Sequence, residues 1–100
     1  MNGLVASILP ERGILRVSGP QARPFLQGLV TNNVEHVSPE RAVYAALLTP
    51  QGKFLFDFII ADGGNASLLL DCDGARAAEL AKRLNFYKLR AEVTIENLSA

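Results

Sequence analysis

The most weakly charged stretch of the chain, residues 42–60 (AVYAALLTPQGKFLFDFII), carries formal charge only at Lys53 and Asp57. Its two apolar halves, residues 42–49 and 53–60, have the length and the β-branched and aromatic content of strands. Pro50, Gln51 and Gly52 between them supply turn chemistry. The pattern predicts a β-hairpin. In the second half, alternation sets Phe54, Phe56, Phe58 and Ile60 on one face and Lys53, Leu55, Asp57 and Ile59 on the other. Both faces are mostly apolar, so this strand is expected inside a sheet with cover on both sides. Asp57 is the anomaly: a carboxylate between Leu55 and Ile59 must reach water, find donors or hold a raised pKa, because unpaired burial costs several kcal/mol.

The remaining pattern is read outward from this hairpin. Residues 1–12 form a polar lead-in to a short strand at 13–18, followed by Ser18, Gly19 and Pro20, which resemble a helix start. Ala22, Phe25, Leu26 and Leu29 then share a helical face. Pro24 requires either a kink or a start near Ala22, since a proline deep in a helix removes a hydrogen bond. Gly28 weakens the end of this helix, and Thr31, Asn32 and Asn33 close it with side chains that bond nearby backbone. Residues 34–41 make a surface connection.

After the hairpin, Asp62, Gly63, Gly64 and Asn65 predict a tight turn and residues 66–72 a returning strand. Asp73 is placed to cap a second helix whose Ala77, Leu80, Ala81 and Leu84 form a core-facing stripe, with Arg76, Glu79, Lys82 and Arg83 outward. Residues 89–96 alternate, with Leu89, Ala91, Val93 and Ile95 inward. The order strand, helix, three strands, helix, strand describes an α+β domain, a mostly antiparallel sheet of about five strands with two helices packed on it.

One hundred residues suit one small domain with a single core. Ten basic and ten acidic side chains cancel, which argues against non-specific nucleic-acid binding through a broad positive field while leaving room for a local basic patch. No apolar run reaches the length of a membrane span, and the first residues lack the basic-then-apolar order of a secretory signal. A cytoplasmic, membrane-free protein is the expectation. The single cysteine, Cys72, excludes an internal disulfide and a cysteine-based structural zinc site, and its place at the end of an apolar strand marks it as a small buried hydrophobe.

Assembled catalytic sets are absent: there is no Ser/His/Asp arrangement, phosphate-binding glycine loop or metal-ligand spacing. His36 reads as a solvated loop residue. Asp57 is the leading ligand-binding candidate, with a carboxylate hydrogen-bonded across the sheet as the competing reading. Tyr87, Lys88 and Arg90, following Lys82 and Arg83, combine an aromatic face with clustered cations that suit an anionic ligand with a flat ring. A charged helix-to-strand junction in solvent is the alternative.

Three blocks, residues 12–33 (RGILRVSGPQARPFLQGLVTNN), 46–60 (ALLTPQGKFLFDFII) and 87–95 (YKLRAEVTI), together resemble the N-terminal part of the YgfZ-type folate-binding proteins. These are relatives of the glycine-cleavage T-protein, a tetrahydrofolate-dependent aminomethyltransferase. The resemblance implies a folate-binding accessory protein that uses tetrahydrofolate. It also implies partners among iron-sulfur enzymes or their assembly factors, including a tRNA-modifying enzyme. Within it, Asp57 is expected to accept hydrogen bonds from the pterin edge, Lys88 or Arg90 to meet the glutamate tail, and Tyr87 to supply an aromatic face.

Two positions depart from the T-protein pattern. Phe56 stands where an acidic pair would have its other member, and Asn33 where Thr-Asn-Asp would end in an acid. A Lys-Gly-Cys signature of the YgfZ type has no match here. The chain is therefore expected to be one domain at the N-terminal end of a longer protein, not catalytic by itself. An aminomethyltransferase fragment and a ligand-free interaction module, dimerising through surface exposed by truncation, are the alternatives.

Overall fold

The computed structural model describes residues 12–98. Strand β1 (Arg12–Ser18) leads to helix α1 (Ala22–Gln27), a 3₁₀ turn at Val34–His36, and the hairpin of β2 (Val43–Leu48) and β3 (Phe54–Gly64). Strand β4 (Ser67–Asp73), a 3₁₀ turn at Gly74–Arg76, helix α2 (Ala77–Lys88) and β5 (Thr94–Asn97) complete it. The five strands form one antiparallel sheet in the order β2-β3-β4-β1-β5. The expected α+β class and element order are observed; the lead-in at residues 1–11 lies outside the described residues.

Both helices pack on the same face of the sheet. Leu15 and Val17 of β1, Ala45 and Leu47 of β2, Phe56, Phe58 and Ile60 of β3, and Leu68 and Leu70 of β4 meet Ala22 and Leu26 of α1 and Ala77, Leu80 and Leu84 of α2 in one buried cluster. Fully burying each of the valine, leucine, isoleucine and phenylalanine side chains among them stabilises the fold by about 1.5–3 kcal/mol. The expected helical stripes are therefore the core. The expectation that β3 is covered on both faces is corrected: with both helices on one side, Tyr44, Asp57 and Ile59 remain exposed on the other.

Local chemistry explains the boundaries. Helix α1 begins at Ala22, which makes Pro24 its third residue, where no intrahelical N–H partner is needed. Asp73 does cap, but it caps the 3₁₀ turn ahead of α2, accepting from the Ala75 amide at 3.0 Å. A bulge between β2 and β3 pairs Leu47 with Phe56 but Leu48 with Phe54. Paired residues share a face, so the bulge moves Phe54 out of the core, and it is 60% exposed instead of inward as alternation alone predicts.

Two other boundaries differ from expectation. The tight turn falls at Asn65 and Ala66, both with positive φ (50° and 60°), because β3 continues through Asp62 to Gly64 before reversing. At the other end, residues 89–93 are not a strand: Leu89 turns the chain at φ 33° and is 87% exposed, and β5 pairs only from Thr94 onward. Val93 and Ile95 do face the core side, as alternation predicts.

Gly19 has a structural duty at the β1–α1 turn. Its φ is 115°, and a Cβ there would stand 2.5 Å from the Glu92 carbonyl oxygen. Gln21 and Glu92 are joined here as well, the Glu92 amide donating to the Gln21 side chain at 2.7 Å. Gly19→Ala is expected to destabilise the domain by about 2 kcal/mol or more. Ala66→Gly, which relieves a left-handed alanine in a two-residue hairpin turn, is expected to stabilise it by about 0.5–1 kcal/mol. Urea unfolding of both variants checks the two signs.

Candidate functional site

The face left open by the helices is built from alternate residues of the strands. One row across it runs Tyr44, Ile59, Asp71, Ile14, and the next Ala61, Leu69, Arg16, Glu96. Apolar and charged groups are thus interleaved. The charged ones are mostly spent on each other: Arg12 meets Asp71 at 3.1 Å and Arg16 meets Glu96 at 3.1 Å. Such exposed pairs contribute only about 0–1 kcal/mol each, so they describe a polar surface more than a source of stability.

Asp57 differs from these carboxylates. Its Oδ2 accepts a 2.6 Å hydrogen bond from the Tyr44 hydroxyl, and among the described residues its other oxygen has no partner. The hairpin register places Asp57 opposite Ala46, so Tyr44 reaches it diagonally from two residues away on β2. The edge that carries Tyr44 is itself braced. The Thr31 amide donates to the Ala46 carbonyl, the Ala46 amide donates to the Thr31 hydroxyl, and the Asn32 side chain donates to the Tyr44 carbonyl at 2.9 Å. The Thr31-Asn32-Asn33 segment therefore acts on the site as a prop for β2. Asn33 turns away, its side chain accepting from the Glu35 amide.

The arrangement presents a carboxylate with one oxygen tied and the other open, beside an exposed phenol and the apolar Ile59, Ala61 and Leu69. Chemically it can accept hydrogen bonds from N–H groups of a flat ring laid along the sheet. Among the described residues no cluster of His, Cys, Asp and Glu could hold a metal ion.

The four residues named from the sequence do not form one cluster. Tyr87 is half-buried at the end of α2, on the core side of the sheet, in a groove of about 460 Å³ with Leu29, Val30, Leu48 and Pro50. The Lys88 ammonium donates to the Val93 carbonyl at 3.4 Å, and Arg90 is exposed in the turn that follows. Asp57 lies on the opposite face. Sequence reasoning missed Tyr44: counting pairs outward from the turn sets Tyr44 opposite Phe58, and only the bulge at Leu55 shifts the register so that Tyr44 lies diagonal to Asp57.

The two candidates outside the sheet face are also placed. His36 is exposed in its 3₁₀ turn. Cys72 is buried with its thiol 3.6 Å from the Gly13 carbonyl; burial raises its pKa, Arg12 opposes this, and Asp71 and Asp73 add to it. It is a protonated core thiol, as its sequence setting suggested.

The Tyr44 phenol is held above its ordinary pKa of 10.0, first by its hydrogen bond to Asp57, then by desolvation and by the nearby negative charge. A raised folded-state pKa means that this contribution to stability is complete below the unfolded value and is lost as pH rises through the folded one. Asp57→Asn is accordingly expected to lower the midpoint of Tyr44 ionisation towards about 10. Ultraviolet titration against a Tyr87→Phe background reads it directly, and an unmoved midpoint would mean that the pair does not hold in solution.

The comparisons with known proteins agree with this architecture. The model of the GCVT N-terminal domain matches residues 11–100. The chain is 40% identical over 101 residues to the mitochondrial iron-sulfur cluster assembly factor IBA57 of Mus musculus, covering 88% of this chain and 28% of that protein. Its Homo sapiens counterpart is 39% identical over 100 residues with the same coverage, and the Neurospora crassa homologue 36% identical over 96 residues, covering 90% and 22%. The chain thus spans about a quarter of the length of these relatives. In structure it resembles the glycine cleavage system aminomethyltransferase T of Bartonella henselae, with a TM-score of 0.82 over 91% of this chain and 25% of that one; at 19% identity the likeness is one of fold. These relatives overturn the expectation of a cytoplasmic protein, since the three IBA57 proteins are all named as mitochondrial, and a missing secretory signal does not separate the two compartments. The chain belongs to the GCVT N-terminal domain family.

Proposed function

We propose that this domain supplies one wall of a folate site in a mitochondrial protein of iron-sulfur cluster assembly, with the open sheet face as that wall. The observation that carries the reading is the Tyr44–Asp57 pair, a carboxylate fixed by a 2.6 Å hydrogen bond with its second oxygen free to accept. A reduced pterin presents adjacent N–H donors on a flat ring, which suits a carboxylate beside Ile59 and Ala61. The assembly role is supported by the names of relatives sharing 36–40% identity with this chain.

An accessory role is favoured over one-carbon transfer by the fate of Phe56. Its side chain is buried in the core beneath Arg76, so the face that carries Asp57 gains no second acid from that position. Of the cations, Lys88 and Arg90 lie on the far side of the sheet and are given no part in holding the ring. A glutamate tail passing around the sheet edge is the one way they would meet the same ligand.

Calorimetric titration of the chain with tetrahydrofolate tests the reading. Saturable binding is expected, weakened by about tenfold in Asp57→Asn, the loss of one charged hydrogen bond of about 1.5 kcal/mol. Binding that is equal in the wild type and Asp57→Asn would remove Asp57 from the site. Robust aminomethyl transfer by a full-length relative carrying phenylalanine at the position of Phe56 would overturn the accessory role.

A further inference from the structure

Helix α2 has a second organised face besides its core stripe. Glu79, Lys82, Arg83 and Phe86 recur at i, i+3, i+4 and i+7, so they share one side of the helix. With Arg76 and with Leu55 and Phe56 of β3 they line a groove of about 420 Å³. Its floor is made by the bulge: Leu55 is the extra residue, and its carbonyl accepts from the Arg76 guanidinium at 2.7 Å. Arg76 also lies 4.2 Å above the Phe56 ring and reaches Glu79 at 3.4 Å. Arg76 and Glu79 are therefore occupied.

What remains is unbalanced. Among the described residues Lys82 and Arg83 have no carboxylate partner, although Glu79 stands one turn from Arg83. Phe86 is 71% exposed beside them, touching only the edge of the Tyr87 ring among aromatic neighbours. Most of the apolar surface of Phe86 therefore stands in water at the rim of the groove. Two free cations and an aromatic rim above an apolar floor are complementary to carboxylates flanking an apolar side chain.

We infer that the α2–β3 groove is a docking site for an acidic segment of a partner protein, an apolar anchor residue set against Phe86 and Leu55 between carboxylates that pair with Lys82 and Arg83. A protein segment fits better than the other anionic ligands. The lining residues of α2 are exposed, so the groove is shallow and a small molecule would leave much of its surface in water. A nucleic acid lying in this groove would meet only Lys82 and Arg83 as cations without a carboxylate partner among the described residues, in a chain of zero net charge. This site uses none of the residues of the folate reading, so the two stand or fall separately.

The test uses fluorescence anisotropy with a short labelled peptide in which a leucine is flanked by glutamates, and a second peptide with every glutamate replaced by glutamine. The acidic peptide is expected to bind and to weaken as salt is raised; the glutamine peptide is expected to bind at least about tenfold more weakly. Lys82→Glu with Arg83→Glu, and separately Phe86→Ala, should each reduce the affinity by about tenfold or more. All three positions are exposed, so circular dichroism should show the variants folded. Equal affinity for the two peptides, an acidic peptide unaffected by the double charge reversal, or an oligonucleotide bound more tightly than the peptide would each overturn the assignment. So would sedimentation showing that the wild-type chain dimerises and the Phe86→Ala chain does not, which would give the groove to a second copy.

Discussion

The structure depends on a sheet that is covered on one side only. Two α-helices, one of them just six residues long, are the only α-helical cover in the described residues, and both are spent on the face made by Leu15, Val17, Phe58, Ile60 and Leu70. Once that face is committed, strand alternation dictates the rest: the residue between Phe56 and Phe58 must point the other way. Asp57 is exposed for this reason, and its carboxylate lies outside the core. The same constraint turns Tyr44, Ile59, Leu69 and Arg16 into a second surface, patterned unlike the core.

Irregularities in the sheet decide where the remaining chemistry sits. The bulge at Leu55 ejects Phe54 from the core and frees a carbonyl, and Arg76 takes that carbonyl while stacking on Phe56. This fixes the start of α2 against β3 and forms the floor of the neighbouring groove. Along the neighbouring edge strand, Thr31 and Asn32 bond to β2 and hold in place the strand that positions Tyr44. The sheet face and the helical groove are thus separate surfaces made by the same strand.

Much of the fold was legible in the residues because periodicity reports burial. The stripes of Ala22 and Leu26, and of Ala77, Leu80 and Leu84, became core as their spacing required. What was illegible has specific causes. A bulge shifts alternation by one residue without leaving a mark in hydrophobicity, which is why Phe54 was misplaced. Alternation at residues 89–93 looked like a strand because Ala91 and Val93 are apolar, yet among the described residues no strand pairs with them. Covered and open faces of a strand are indistinguishable when both are apolar, so Ile59 concealed the open side, while Leu55, the bulge residue, packs on the helical side instead of beside Asp57. For the candidate site, a carboxylate in an apolar run was conspicuous; its diagonal partner was a matter of register, and the separation of Asp57 from Tyr87, Lys88 and Arg90 was a matter of tertiary packing.

The folate wall proposed above is the open sheet face, not the helical one. Backbone amide chemical shifts of the 100-residue chain, followed during titration with tetrahydrofolate, test it most directly. Perturbations centred on Tyr44, Ala46, Asp57 and Ile59, with α2 unmoved, are the predicted result. Perturbations centred on Tyr87, Lys88 and Arg90, with β2 and β3 unmoved, would contradict it.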